Sequence, residues 1–235
     1  MKQEKFFIGN VPAILSGECS ERIFLFIHGQ GGNKKEAKTF AEIAAPKGWQ
    51  VLGIDLPEHG ERSDEVKFLP WETLPELRQV WEYAASHWKH IAVRANSIGA
   101  YFSMLAFQNV ALEQCLFVSP VLDMERLIID MMGWANVTET ELREQKEIRT
   151  NLGQTLSWEY LCYVREHPIE KWAVPTEILY AGGDAMIPRE TVKAFTEKSR
   201  CGLTVMKNGE HWFHTAEQLD FMRRWEERML SGAEE

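Results

Sequence analysis

The chain lacks any apolar run near the ~20 residues that a membrane-spanning helix needs, so no spanning segment is expected. Residues 1–5 carry charge but have no long apolar stretch behind them, which argues against a secretory leader. Cysteine is scarce: Cys19, Cys115, Cys162 and Cys201 lie far apart with no C-x-x-C pair. That spacing fits neither a thiolate zinc cluster nor a disulfide framework, and it reads as four reduced thiols in a cytoplasmic protein, with Cys115 buried in an apolar run. Positive charge is in deficit, with 26 Lys and Arg against 35 Asp and Glu and a net charge of −9. A phosphate backbone or an anionic bilayer calls for the opposite balance, so neither a nucleic acid nor a membrane is an expected partner. Neither G-x-G-x-x-G nor G-x-x-x-x-G-K-[ST] occurs, and no cofactor is expected.

What is present is an ordinary globular composition, 45% hydrophobic and 26% charged over 235 residues, enough for one large domain with a modest insertion. Short apolar or β-branched runs occur at 6–8, 13–15, 23–27, 50–54, 91–94, 116–119, 177–180 and 203–206. Several are apolar almost throughout, as in strands buried on both faces of a parallel sheet. The first two flank Gly9-Asn10 and are expected to form an antiparallel hairpin. Between the later runs lie stripes of helical period, such as Leu74, Leu77, Trp81, Ala84/Ala85 and Trp88, or Met222, Trp225 and Met229. Strand alternating with helix predicts an open, mostly parallel α/β sheet with right-handed crossovers. Residues 121–171 break the rhythm. They show helical patterns and no strand, which predicts a helical cap inserted into a core of residues 1–120 and 172–235.

Three segments carry candidate chemistry. In Ala92-Val93-Arg94-Ala95-Asn96-Ser97-Ile98-Gly99-Ala100, an apolar strand runs into a turn bearing a serine, and a helical stretch follows. A turn this tight needs small residues on both sides of the serine, and Ala95 and Gly99 supply them. Ser97 reads as a nucleophile raised on a strained elbow, or alternatively as a helix N-cap. In Ile27-His28-Gly29-Gln30-Gly31-Gly32, glycines after a strand leave backbone N–H groups free to face a developing oxyanion. His28 is read as fixing this loop. After the runs at 177–180 and 203–206 come Asp184 and His211 respectively.

Together these segments resemble the α/β-hydrolase superfamily in its small serine-hydrolase form. Asp55-Leu56-Pro57-Glu58-His59-Gly60-Glu61-Arg62-Ser63 resembles that family's D-x-x-G-H-G-x-S loop, with Glu58 in place of a glycine and one extra residue before the serine. Ala95 stands where the G-x-S-x-G motif has its first glycine. The resemblance implies an eight-stranded, mostly parallel sheet with a cap after the sixth strand. It also implies a catalytic Ser97, His211 and Asp184, in the family's chain order, with the N–H groups of Gln30 and Ile98 as oxyanion donors.

Other acids and histidines remain open at this point. Asp123, after Ser119-Pro120, is a second candidate to orient the histidine. His214, three residues after His211, could share a metal with it, although no third ligand of recognised spacing follows, and no metal site is expected. Gly29, His59, Met131, Met132 and Trp158 are candidates to line the substrate pocket, the last three from an apolar cap face suited to an acyl group. The expected activity is hydrolysis of a carboxylic ester or thioester of a small to medium, largely apolar acyl group. Acyl transfer, amide or C–C bond cleavage, and a catalytically silent ligand-binding homologue are the other outcomes that this scaffold permits.

Overall fold

In the computed structural model, which describes residues 1–151 and 153–231, the apolar runs pair into one sheet. Its strands are β1 (Gln3–Ile8), β2 (Val11–Ser16), β3 (Arg22–Ile27), β4 (Gln50–Ile54), β5 (His90–Asn96), β6 (Cys115–Val118), β9 (Thr176–Ala181) and β10 (Gly202–Met206). They lie in the order β1-β2-β4-β3-β5-β6-β9-β10. The β1–β2 and β2–β4 pairings are antiparallel, and every later pairing is parallel.

The pattern of β3 explains why its strand signal is a continuous apolar run. Ile23, Leu25 and Ile27 face one core, while Phe24 and Phe26 face the other, so both faces are covered. The first core is closed by α2 (Pro70–His87), α3 (Ser97–Phe107) and α7 (Arg189–Ser199), the second by α1 (Ala37–Ala44) and α8 (Ala216–Ser231). Helix α2 buries Leu74, Leu77, Val80 and Ala84 along one stripe, and Trp225 anchors α8. Cys115 is buried in β6. No helix of the described residues is long and apolar enough to cross a membrane.

Residues 121–171 contain α4 (Met124–Trp134), α5 (Glu139–Gln145) and α6 (Trp158–Glu166), and also two strands that the sequence pattern does not predict. Strands β7 (Glu147–Arg149) and β8 (Thr155–Ser157) form an antiparallel hairpin. Three residues are too few for a period-2 pattern to emerge, and of these side chains only Leu156 is fully buried. The hairpin closes through Thr150 N–H to the Gln154 carbonyl, with Gly153 at φ +80° in the turn. Arg165 of α6 ties the segment together, reaching Glu125 at 2.7 Å and Glu139 at 2.8 Å. Tyr160 and Tyr163 set α6 against Trp71 of α2. A second departure is Ser119, expected as the end of a strand. Its φ of +43° ends the strand at Val118, although its N–H still donates to the Leu179 carbonyl at 2.9 Å.

A buried ion pair joins the strand that leads to the candidate serine with the C-terminal helix. Arg94 Nε donates to Glu226 Oε1 at 2.8 Å, and both side chains are almost wholly inaccessible. Burial raises the Glu226 carboxyl above the ordinary carboxylate range, opposed by the nearby guanidinium. Removing one partner of such a pair strands the other charge in low dielectric. Glu226→Ala is therefore expected to cost about 3–5 kcal/mol, read as a lower urea midpoint. The double replacement Arg94→Met/Glu226→Leu should lose much less.

Candidate active site

Parallel pairing of β3 with β5 places Ile27 opposite Ala95, so the turns that leave both strands emerge side by side. The helix after β5 then packs onto the turn after β3 at backbone contact. A β-carbon on Gly99 would lie 2.4 Å from the His28 carbonyl oxygen, so only glycine fits there. At the head of α3, Ser97 takes φ +48°, a strained value for a residue with a side chain. Its carbonyl accepts Val121 N–H at 3.1 Å, which fixes the turn to the segment leaving β6.

The Ser97 hydroxyl lies 2.8 Å from His211 Nε2, and His211 Nδ1 lies 2.7 Å from Asp184 Oδ2. With Asp184 ionised, Nδ1–H donates to the carboxylate and Nε2 is left to accept from the serine hydroxyl. The Asp184 carboxylate is fully buried, and its other oxygen accepts the N–H groups of Met186 and Ile187 at 2.8 and 3.0 Å. Two backbone bonds bring the acid and histidine loops together, Gly182 N–H to Met206 O and Gly183 N–H to Gly209 O. Phe213, buried at φ +41°, pins the loop beyond the histidine. Asp123 is occupied elsewhere, as the N-cap of α4, accepting Arg126 N–H at 2.9 Å. His214 is exposed and pairs with Glu210 at 3.3 Å.

Beside Ser97, Gly29 is so close that a β-carbon there would lie 3.3 Å from the serine's own. Among the described residues the Gln30 N–H has no hydrogen-bond partner, and the Ile98 N–H lies in the first turn of α3, where helical partners are lacking. His28 is buried beneath the loop. Its Nδ1–H donates to the Gly29 carbonyl at 2.7 Å, and its Nε2 accepts Leu56 N–H at 3.0 Å. His59, expected as a pocket-lining side chain, has both ring nitrogens engaged by backbone, Gly31 N–H at 2.9 Å and Pro57 O at 2.7 Å. Met132 belongs to the buried core, while Met131 and Trp158 are half-buried against it.

Two neighbours of the site have no counterpart in the sequence reading. Gln30 Nε2 donates to Gln154 Oε1 at 3.1 Å, a contact that depends on the unforeseen hairpin. Trp212, next to His211, is 71% exposed, and a sequence offers no sign of which tryptophan stays outside.

No family model and no curated protein matches the sequence. Solved structures do. Est1E from Butyrivibrio proteoclasticus, with ferulic acid bound, superposes with a TM-score of 0.79 at 17% identity, over 97% of this chain and 98% of that one. Mouse alpha/beta hydrolase domain-containing protein 10 gives 0.77 at 11% identity, over 99% and 100% of the two chains. A thioesterase domain from the curacin biosynthetic pathway gives 0.62 at 13% identity, over 96% and 99%. The chain has the α/β-hydrolase fold.

The buried His28 makes stability depend on pH. Desolvation pushes its pKa down from 6.5 to about 4, despite the bond to the Gly29 carbonyl. Between those values the unfolded chain binds the proton and the folded chain does not, so stability is full above about 6.5 and falls as the pH is lowered towards 4. This one group should remove about 3 kcal/mol across that window. Urea titrations at pH 7 and pH 4 check it, and His28→Gln should show a flatter dependence than the unsubstituted protein.

Proposed function

We propose that the protein is a serine hydrolase of carboxylic esters or thioesters with small to medium, largely apolar acyl groups. The observation that carries this reading is the hydrogen-bonded run Ser97–His211–Asp184 with Gly29 packed against the serine. In our reading the N–H groups of Gln30 and Ile98, the first of them without a hydrogen-bond partner among the described residues, are the oxyanion donors. Ser97 Oγ attacks the acyl carbon while His211 Nε2 takes the hydroxyl proton, and the negative charge on the carbonyl oxygen is met by the two N–H groups. His211 then returns the proton to the leaving alkoxide or thiolate, and an acyl-Ser97 ester remains. Water, deprotonated by the same ring nitrogen, releases the acid and restores the serine. Asp184, held by three hydrogen bonds, keeps the ring in the required tautomer and stabilises the imidazolium.

The fold is shared with an esterase of Pyrococcus furiosus and a thioesterase domain, which supports this chemistry over others that the scaffold permits. In our reading residues 121–171 form the cap that selects the acyl group, with Met131, Met132 and Trp158 offering apolar surface that adapts to the ligand. The partner is then a small molecule, and the mechanism needs no cofactor.

A fluorophosphonate is expected to label the protein once, at Ser97, and not to label Ser97→Ala. Labelling at another residue, or undiminished ester turnover by that variant, would sink the assignment. Asp184→Asn is expected to fold and to lose about 10⁴-fold in kcat, because the amide favours the wrong ring tautomer.

A series of p-nitrophenyl esters checks the role of the cap. Each accommodated methylene contributes about 0.8 kcal/mol, so kcat/KM should climb several-fold per carbon until the pocket is full. Truncating Met131, Met132 or Trp158 should move the chain length at which the climb stops. A profile unmoved by all three changes refutes the cap as selector.

A further inference from the structure

We infer that His59 is a positioning residue for the oxyanion loop, its neutral imidazole holding the Gly31 N–H and so aiming the adjacent Gln30 N–H. The inference rests on the hydrolase reading above, and it gives His59 a role other than touching the substrate.

The loop needs an external anchor. Gln30 is followed by Gly31 and Gly32. Gly31 sits at φ +76° with nothing within 4 Å of where a β-carbon would be, so that side of it is open. Glycine in such a stretch has more backbone freedom to lose than any other residue. An oxyanion donor, however, is useful only if it is already aimed before charge develops. Inside the loop, the Gly29 carbonyl accepts the Gly32 N–H at 3.1 Å and the His28 Nδ1–H at 2.7 Å, which holds the Gly29–Gln30 peptide from one side and leaves the Gln30–Gly31 peptide to be oriented from outside. The Gly31 N–H is oriented by His59 Nε2 at 2.9 Å. Because Gln30 and Gly31 are neighbours, fixing the second amide restricts the peptide plane that precedes it.

His59 is itself held firmly enough to act as an anchor. Its Nδ1–H donates to the Pro57 carbonyl at 2.7 Å, which leaves Nε2 as the acceptor. The ring lies 5.1 Å from that of His28 and 4.5 Å, edge to face, from that of Phe68. Phe68 meets Phe102 of α3 at 5.3 Å, so a run of rings joins the oxyanion loop to the helix that carries Ser97. Glu58, at φ +62°, turns the chain so that this ring faces inward, and its carboxylate accepts Phe68 N–H at 3.0 Å. Both donor and nucleophile are thus referred to one side chain that meets the reaction only through backbone.

Steady-state kinetics on a p-nitrophenyl ester, with His59→Phe and His59→Gln beside the unsubstituted protein, tests this. Phenylalanine keeps the ring packing and loses the acceptor, whereas glutamine can place Oε1 near the position of Nε2. His59→Phe is expected to lower kcat about 10- to 100-fold, part of the loss that follows deletion of a whole oxyanion donor. KM should stay within about twofold, since the interaction matters in the transition state. His59→Gln should recover most of the lost rate. An unchanged kcat in His59→Phe, a loss confined to KM, or a glutamine variant as slow as the phenylalanine one would overturn the inference. Nitrogen-15 NMR of the unsubstituted protein gives a readout that survives a variant failing to fold. The ring should be the Nδ1–H tautomer with a through-hydrogen-bond coupling from Gly31 N–H to Nε2, and an Nε2–H tautomer refutes the anchor. A folded, unsubstituted protein that turns over no ester and takes no fluorophosphonate sinks the hydrolase reading instead, and the ring tautomer then decides the His59 geometry separately.

Discussion

Gly99 sits where a β-carbon would come within 2.4 Å of the His28 carbonyl oxygen and 2.8 Å of that of Ile27, so the first turn of α3 rests on the backbone leaving β3. Most of the site depends on that approach. It puts the N-terminus of α3, with its unpaired N–H groups, against the glycine turn after β3, and it forces Ser97 into the left-handed region. Two adjacent parallel strands ending level are what permit it, because the pairing of Ile27 with Ala95 brings the two turns to the same height. A shift in register would separate the serine from the neighbouring N–H groups without altering a single site residue.

Charge beneath the site is handled by enclosure. Asp55, fully buried at the end of β4, accepts the backbone N–H groups of Lys34 and Glu61 and pairs with the Lys34 ammonium. Lys34 also reaches Glu61 at 3.1 Å, so one buried cation joins the connection before α1 to the loop that carries His59. His28, immediately above, stays neutral. Asp55, Lys34 and His28 each have the partners that low dielectric demands. The glycine turn after β3 accordingly rests on polar side chains rather than apolar ones.

How much of this was legible in the sequence divides along one line. Each strand of the large sheet could be read because burial on both faces makes a strand an apolar run. Ser97, Asp184 and His211 could be picked out because each follows such a run, where a short loop must lie at the sheet edge. The β7–β8 hairpin could not, since two three-residue strands with a single buried side chain between them carry no period. The preference for Asp184 over Asp123 comes from the resemblance, which puts the acid after the penultimate strand, and in the structure Asp184 faces His211 while Asp123 caps α4. His59 illustrates a further limit. Its residue type and place in the loop are visible, whereas the backbone groups that occupy its two nitrogens depend on how Glu58 turns the chain.

The loop that carries Asp184 closes on itself. The carboxylate takes the Met186 and Ile187 N–H groups, the Asp184 N–H reaches the Ala181 carbonyl, and the Tyr180 hydroxyl donates to the Ile187 carbonyl at 2.8 Å. These four bonds all lie within the eight consecutive residues from Tyr180 to Ile187, and the loop's remaining ties run to the histidine loop, through Gly182 N–H to the Met206 carbonyl and Gly183 N–H to that of Gly209. Helix α7, which begins at Arg189, is downstream of the last of these bonds. The length and sequence of that helix can drift over evolutionary time, by insertion or by loss of a turn, with the acid left where it is. Helix α7 is thus free to vary in a way that the strands on either side of Ser97 are not.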